Sequence, residues 1–313
     1  MPTGCQRLTP GGVSGIFPSM DPHDIDSLEA GNLRIAISRE GAEMVSLECR
    51  NESGTWTKFL YRDGQTEKPA SGWANHATVM GYFLHRLLAE QSLYRGHLIR
   101  GGNHGFIRHF HFAEPERGPA SLTYRIPASS IPHDAYPLRV GLALTYEFTG
   151  NELRIRFLFT NEEPDCDAHL SFGVHPGFAV SSPLTCGVYL PPGRYVRHFA
   201  PGNFLDGRTE SLDWPGGPMP FPRADLPGSF LIELADVPDP VITLTDGGRQ
   251  VALNFAGVPY MTIWSDMGPF ICIEPCWGLP DSNPQKPFEE KTGIQHIPPG
   301  GRLEASFGIR PTS

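Results

Sequence analysis

Three ionisable side chains interrupt strings that are otherwise apolar or glycine-rich. His175 stands in Ser171-Phe-Gly-Val-His175-Pro-Gly-Phe178, and Glu274 follows Phe270-Ile-Cys-Ile and precedes Pro275. His104 lies in Gly101-Gly-Asn103-His104-Gly105-Phe-Ile-Arg108. An ionisable group inside an apolar run costs free energy unless something receives it. A histidine beside Phe172 and Phe178 fits a satisfied core residue, and Asn-His-Gly fits an ordinary turn. Glu274 fits a buried salt bridge or a carboxylate capped by backbone N–H groups. Arg86, in Tyr82-Phe-Leu-His85-Arg86-Leu, fits either a buried ion-pair partner or an anchor for substrate hydroxyls. Read as chemistry instead, a histidine and a glutamate form an acid and base suited to proton transfer near neutral pH. His109 and His111 alternate as if on one face of a strand, but no third ligand stands at a metal-binding spacing, so no metal is expected. No GxSxG, GxxxxGK[ST] or strand-following GxGxxG occurs, which removes the usual hydrolase, phosphate-loop and dinucleotide signatures.

These residues need elements to carry them, and the pattern from Leu33 onward has a period of two. Leu142, Leu144, Tyr146 and Phe148 alternate with Ala143, Thr145 and Glu147, and Leu153, Ile155, Phe157 and Phe159 alternate with Glu152, Arg154, Arg156 and Leu158. Thr149-Gly150-Asn151 between the two runs has hairpin chemistry, which predicts an antiparallel pair. Further strands are expected at Leu33–Ile37, Met44–Leu47, Leu122–Arg125, His169–Val174, Val241–Thr245, Val251–Phe255, Tyr260–Trp264, Phe270–Ile273 and Leu303–Ile309. Many short strands with little helical pattern between them predict an all-β fold, a large antiparallel β-sandwich. Val79, Phe83, Leu87 and Leu88 make Ala77–Glu90 the one helix-like stretch. Residues 1–27, rich in Pro, Gly, Ser and Asp, are read as an N-terminal arm, loosely ordered or packed on the domain, and 28–313 as a single domain.

The net charge of -9 offers no basic stripe for nucleic acid and no attraction to an anionic membrane. The 39% hydrophobic and 19% charged content is that of a soluble globular chain. The six cysteines form no CxxC pair, so reduced thiols are expected. The first residues hold no apolar h-region and no stretch is long enough to span a membrane, which predicts a cytoplasmic protein.

The order Arg86, Asn-His104-Gly-Phe-x-Arg, Phe-Gly-x-His175-Pro-x-Phe, Pro-Tyr-x-x-Ile-Trp264 and Ile-Glu274-Pro-x-x-Gly resembles the aldose 1-epimerase (galactose mutarotase) superfamily, most of all its LacX-like branch. The similarity runs from about Leu33 to Ile309. It implies a β-sandwich with a sugar in an open cleft, His175 as general acid toward the ring oxygen and Glu274 as general base toward the anomeric hydroxyl. It implies Arg86 and His104 as substrate contacts, with Arg108 in the same motif and with no metal and no cofactor; Trp277, alongside Phe178 or Tyr260, fits either packing on the apolar face of a pyranose or packing in the core. The partner implied is a small sugar, with no nucleic acid and no membrane, in a monomer or homodimer. Two departures bear on the substrate: Ser229, or another non-acidic residue, stands where relatives carry a sugar-binding aspartate, and Ala77-Thr-Val-Met-Gly-Tyr-Phe replaces a proline-containing run. The alternatives are a non-catalytic carbohydrate-binding protein on the same fold and a sugar-phosphate mutarotase, for which Arg100 and Arg108 are available. A polysaccharide lyase or hydrolase is a further possibility by fold analogy alone, and a glycosidase would want two carboxylates.

Overall fold

A computed structural model describes residues 24–65 and 67–313. Among them, a nine-stranded sheet and an eight-stranded sheet, both antiparallel, form the two layers of a sandwich. A four-stranded sheet from Ile25–Ala30 to Trp56–Lys58 and a two-stranded ribbon, Gln91–Tyr94 with His97–Arg100, complete the strand inventory. The expected hairpin is present: Val140–Thr149 pairs with Glu152–Asn161 through Gly150, whose φ is 60°. Phe157 and Phe159 reach from that hairpin into Phe172 of the other sheet, at centroid distances of 5.0 and 4.7 Å. One hydrophobic cluster extends from Leu28 to Ile309 between the layers.

The eight-stranded sheet carries the candidate site. Its centre runs Phe230–Asp236, Tyr260–Trp264, Phe270–Trp277, Ala168–Ala179, with Ala77–Tyr82 pairing alongside the last of these. Every residue of Phe270–Trp277 is buried, but the two faces differ. Ile271, Ile273 and Trp277 point into the main core, whereas Cys276 belongs to a separate small cluster with Met80 and Leu84 on the other face. Period two therefore sets Glu274 and Trp277 on opposite sides of the strand.

Three expectations need correction here. Ala77–Glu90 is not helical: Ala77–Tyr82 is a strand buried on both faces, so it shows no alternation, and Leu88–Glu90 is a single 3₁₀ turn. His109 closes a 3₁₀ turn (Ile107–His109) while His111 makes an isolated bridge to Glu40, so the two do not share a strand face. A strand begins at Ile25, inside the stretch read as an arm; residues 1–23 of that arm lie outside the described residues.

Candidate active site

Strand register assembles the floor of the cleft. Thr78 pairs with His175, Thr262 with Glu274, and Leu231 with Thr262. Between Phe172–Gly173 and Gly177–Ala179 the ladder to Phe270–Trp277 keeps one register, and that register sets His175 opposite Glu274. Pro176 and Pro275 fall in the gap, where neither supplies an N–H to the ladder. The result is a straight cross-sheet row of Thr78, His175, Glu274, Thr262 and Leu231, and all five line one cleft of about 250 Å³.

His175 Nε2 lies 3.3 Å from Glu274 Oε1. The far atoms of the pair, His175 Nδ1 and Glu274 Oε2, are buried and have no protein partner. Trp73 stacks on the imidazole at 5.0 Å, and Trp264 meets it edge-on at 5.6 Å. Gly177 makes the first contact possible, because a Cβ there would overlap the Trp73 ring. His104 meets His175 edge-on at 5.3 Å, and His85 lies 5.6 Å beyond it. The His104 loop is pinned: its N–H donates to the His85 carbonyl at 2.7 Å, and its carbonyl accepts from Gly81 at 3.1 Å. At Gly105, φ is +70° and a side chain would collide with the Gly81 carbonyl, so this close approach requires glycine.

A buried ion pair stands behind the cleft. Asp281 and Lys291 meet at 3.2 Å, and both side chains are almost wholly buried. Asp281 Oδ2 accepts from Leu88 N at 3.0 Å, and the Asp281 N–H donates to the Arg86 carbonyl. Its own carbonyl accepts from Leu205 N at 2.8 Å. One residue thus ties the His85–Arg86 loop to the Ala200–Leu205 segment, and both supply cleft wall.

Burial dominates the electrostatics. It pushes His175 down to about 3 and His85 to about 4, holds His104 well below the ordinary imidazole range, and raises Glu274 well above the carboxylate range. Lys291 adds to the effect on His85, as His175 and His85 do on His104. Water exclusion therefore outweighs the attraction that would charge His175 and Glu274. For stability the sign is definite. A histidine whose folded pKa lies below its unfolded value leaves stability intact above about 6.5 and loses it as pH falls from there. Glu274 has the opposite sign over the same range, so it offsets His175. His85 and His104 remain uncompensated. Urea unfolding at pH 7 and pH 5 is expected to show a loss of about 2 kcal/mol per uncompensated histidine. Equal stability at both values would contradict neutral, buried rings.

Of the residues singled out in the sequence, His175, Glu274, Arg86, His104 and Arg108 meet in this cleft. Trp277 does not: it is stacked on Phe172 in the core at 5.0 Å, and its indole N–H donates to the Gly257 carbonyl. Arg100 ends the two-stranded ribbon and is not among the cleft residues. Ser229 is in the wall, at a φ of 62°. Trp73, Thr78, His85 and Thr262 were missed. For Thr262 the signal was there in part, since Tyr260–Trp264 was expected as a strand beside the one that carries Glu274, whereas Thr78 sits in the stretch read as helix-like. Nothing in the sequence marks Trp73.

No protein-family model matches the chain, and no curated protein matches it. Solved structures do. A galactose mutarotase related enzyme from Lactobacillus acidophilus is 23% identical, with a TM-score of 0.77 over 92% of this chain and 97% of that one. A galactose mutarotase-like protein from Lactobacillus casei is 21% identical, with a TM-score of 0.77 over 92% of this chain and 100% of that one. The GalM/aldose epimerase homologue from C. elegans is 14% identical, with a TM-score of 0.66 over 92% and 98%. At such identities the likeness establishes the fold, and that fold is galactose mutarotase-like.

Proposed function

We propose that this protein is a mutarotase, an aldose 1-epimerase that interconverts α and β anomers by opening and reclosing the sugar ring. One observation carries this function: an imidazole and a carboxyl group stand 3.3 Å apart as cross-strand neighbours on the floor of a cleft. The fold it shares with galactose mutarotase-like proteins supports it. In ring opening a proton leaves O1, the C1–O5 bond breaks as C1=O forms, and a proton arrives on O5. Nothing is consumed. Both oxygens are bonded to C1, so the acid and the base must lie close together. A separation of 3.3 Å meets that need, whereas glycosidase carboxylates stand about 5–9.5 Å apart and, among the described residues, only one carboxyl group lines this cleft.

In the ring-opening direction His175, as imidazolium, protonates O5 and Glu274, as carboxylate, takes the O1 proton, which leaves neutral imidazole beside carboxylic acid, the form that burial favours. Rotation about C1–C2 and the reverse transfers give the other anomer. Neutral imidazole with carboxylic acid holds the same number of protons as imidazolium with carboxylate. The buried pair can therefore pass between these forms through the sugar without exchanging protons with solvent. Trp73 and Trp264 fix the imidazole plane, and Thr78 and Thr262 offer hydroxyls on either side of the pair.

Burial pushes His175 down to about 3 and holds Glu274 well above the carboxylate range, so His175 does not change charge near the free imidazole value. After subtraction of the spontaneous reaction, kcat/KM is expected to show no inflection near the free imidazole value of about 6.5. A profile that bends at 6.5 would mean a solvent-exposed histidine is the acid. The direct test is polarimetry on freshly dissolved single anomers, neutral and anionic: faster approach to equilibrium is the expected result. Sugar binding without acceleration would make the protein a carbohydrate-binding module instead.

A further inference from the structure

Two guanidiniums line the cleft without a carboxylate for either. Neither Arg86 nor Arg108 makes a side-chain hydrogen bond or ion pair among the described residues, although both are cleft residues. They lie close enough to His104 for both charges to act on it. Arg108 also divides the cleft from a side pocket of about 100 Å³, with Asn75 and Thr78 sharing the partition. Glu43 and Glu40 act on Arg108 from that side pocket, but neither contacts it within ion-pair distance. Glu43 Oε1 is instead committed to the His76 and Ala77 N–H groups and the Thr78 hydroxyl, at 2.8, 3.1 and 3.2 Å.

The rest of the cleft wall is uncharged. Its remaining polar residues include Asn75, Asn103, Asn203 and Ser229, and its one carboxyl group, on Glu274, is buried. The whole chain carries a net charge of -9, so this cationic lining is local and not a reflection of overall composition. A guanidinium has five donors, no acceptor and a planar fork that fits carboxylate or phosphate oxygens. A neutral pyranose gives such a fork only single hydroxyl contacts. An anionic substituent gives it charge-assisted, bidentate ones.

We infer that the substrate is an aldose carrying an anionic substituent, a carboxylate or a phosphate, held by Arg86 and Arg108 while C1 stands over His175 and Glu274. This rests on the mutarotase proposal for the same site, and the test separates the two. Anomer exchange is read by exchange NMR on equilibrated D-glucose, D-glucuronate and D-glucose 6-phosphate, with calorimetric binding of each in parallel.

At least one anionic sugar is expected to be exchanged with about tenfold or higher kcat/KM than D-glucose, the scale of one charge-assisted hydrogen bond. The two anionic arms distinguish carboxylate from phosphate. That advantage should shrink with rising salt and fall about tenfold in Arg108→Gln. Arg86→Gln, on an exposed loop, repeats the test if Arg108→Gln does not fold. Exchange of D-glucose as fast as of both anionic sugars, or an equal loss on all three in the arginine variants, overturns the inference and leaves the mutarotase standing. Arginine-dependent binding of an anionic sugar without exchange supports the inference and removes the mutarotase. Neither binding nor exchange of any of the three overturns both.

Discussion

Glu274→Gln and His175→Asn are each expected to slow anomer exchange by on the order of 10²–10⁴-fold. The double variant should be little slower than the slower single one, because the two groups perform one concerted transfer and their effects do not add. Removing the base alone leaves an acid that must generate a cationic ring oxygen. Removing the acid alone leaves an alkoxide on the leaving oxygen. Glu274→Gln keeps the shape of the side chain, whereas His175→Asn removes the ring on which Trp73 stacks. Glu274 is held toward its neutral form by burial, so an amide at that place adds no new charge to bury. Trp73 and Trp264 would still enclose the site. Thermal unfolding should therefore shift little in Glu274→Gln, the variant in which the loss of turnover is read without a change of shape. A variant that keeps wild-type turnover would remove its residue from the chemistry.

Asp281→Asn is expected to produce the largest loss of stability, roughly 3–5 kcal/mol, because it leaves the Lys291 ammonium buried without its counter-charge. Lys291 is 4% exposed and Asp281 fully buried, so no solvent replaces the lost partner. Urea unfolding at neutral pH measures the effect. Asp281→Asn combined with Lys291→Met should recover much of the loss, since an apolar chain of similar length needs no partner. If the double variant is as unstable as the single one, the hydrogen bonds from Leu88 and Gln285 to the carboxylate outweigh the charge.

Much of the sandwich was legible because one face of many strands meets water. Val140–Thr149 and Glu152–Asn161 show near-regular inward and outward positions, and their alternation survives in the sequence. Ala77–Tyr82 was not legible for the opposite reason. All six of its residues are buried, so its apolar positions carry no period, and Val79, Phe83 and Leu87 happen to mimic a helical stripe. The misplaced Trp277 has a different origin. Three residues separate it from Glu274, and on a strand an odd separation means opposite faces. Reading the two as one motif hid that parity.

His175 and Glu274 themselves were visible as polar interruptions of apolar strings, and the resemblance supplied expected roles for them. Their partners depended on tertiary structure. Trp73 reaches His175 across about a hundred residues of chain, and no local pattern in Ser71-Gly-Trp73-Ala encodes that contact. The Thr78, His175, Glu274, Thr262 row exists only once three strand pairings are in register. The ion pair of Asp281 with Lys291 joins two loops, where sequence carries the least periodic signal.

The most direct test measures anomer exchange of equilibrated neutral and anionic aldoses at neutral pH, with the wild-type protein and with folded Glu274→Gln side by side. Exchange well above the spontaneous rate for at least one sugar, abolished in Glu274→Gln while that variant still binds the sugar, is the predicted result. No acceleration of any sugar by the wild type, or equal acceleration by both proteins, would contradict a mutarotase built on His175 and Glu274.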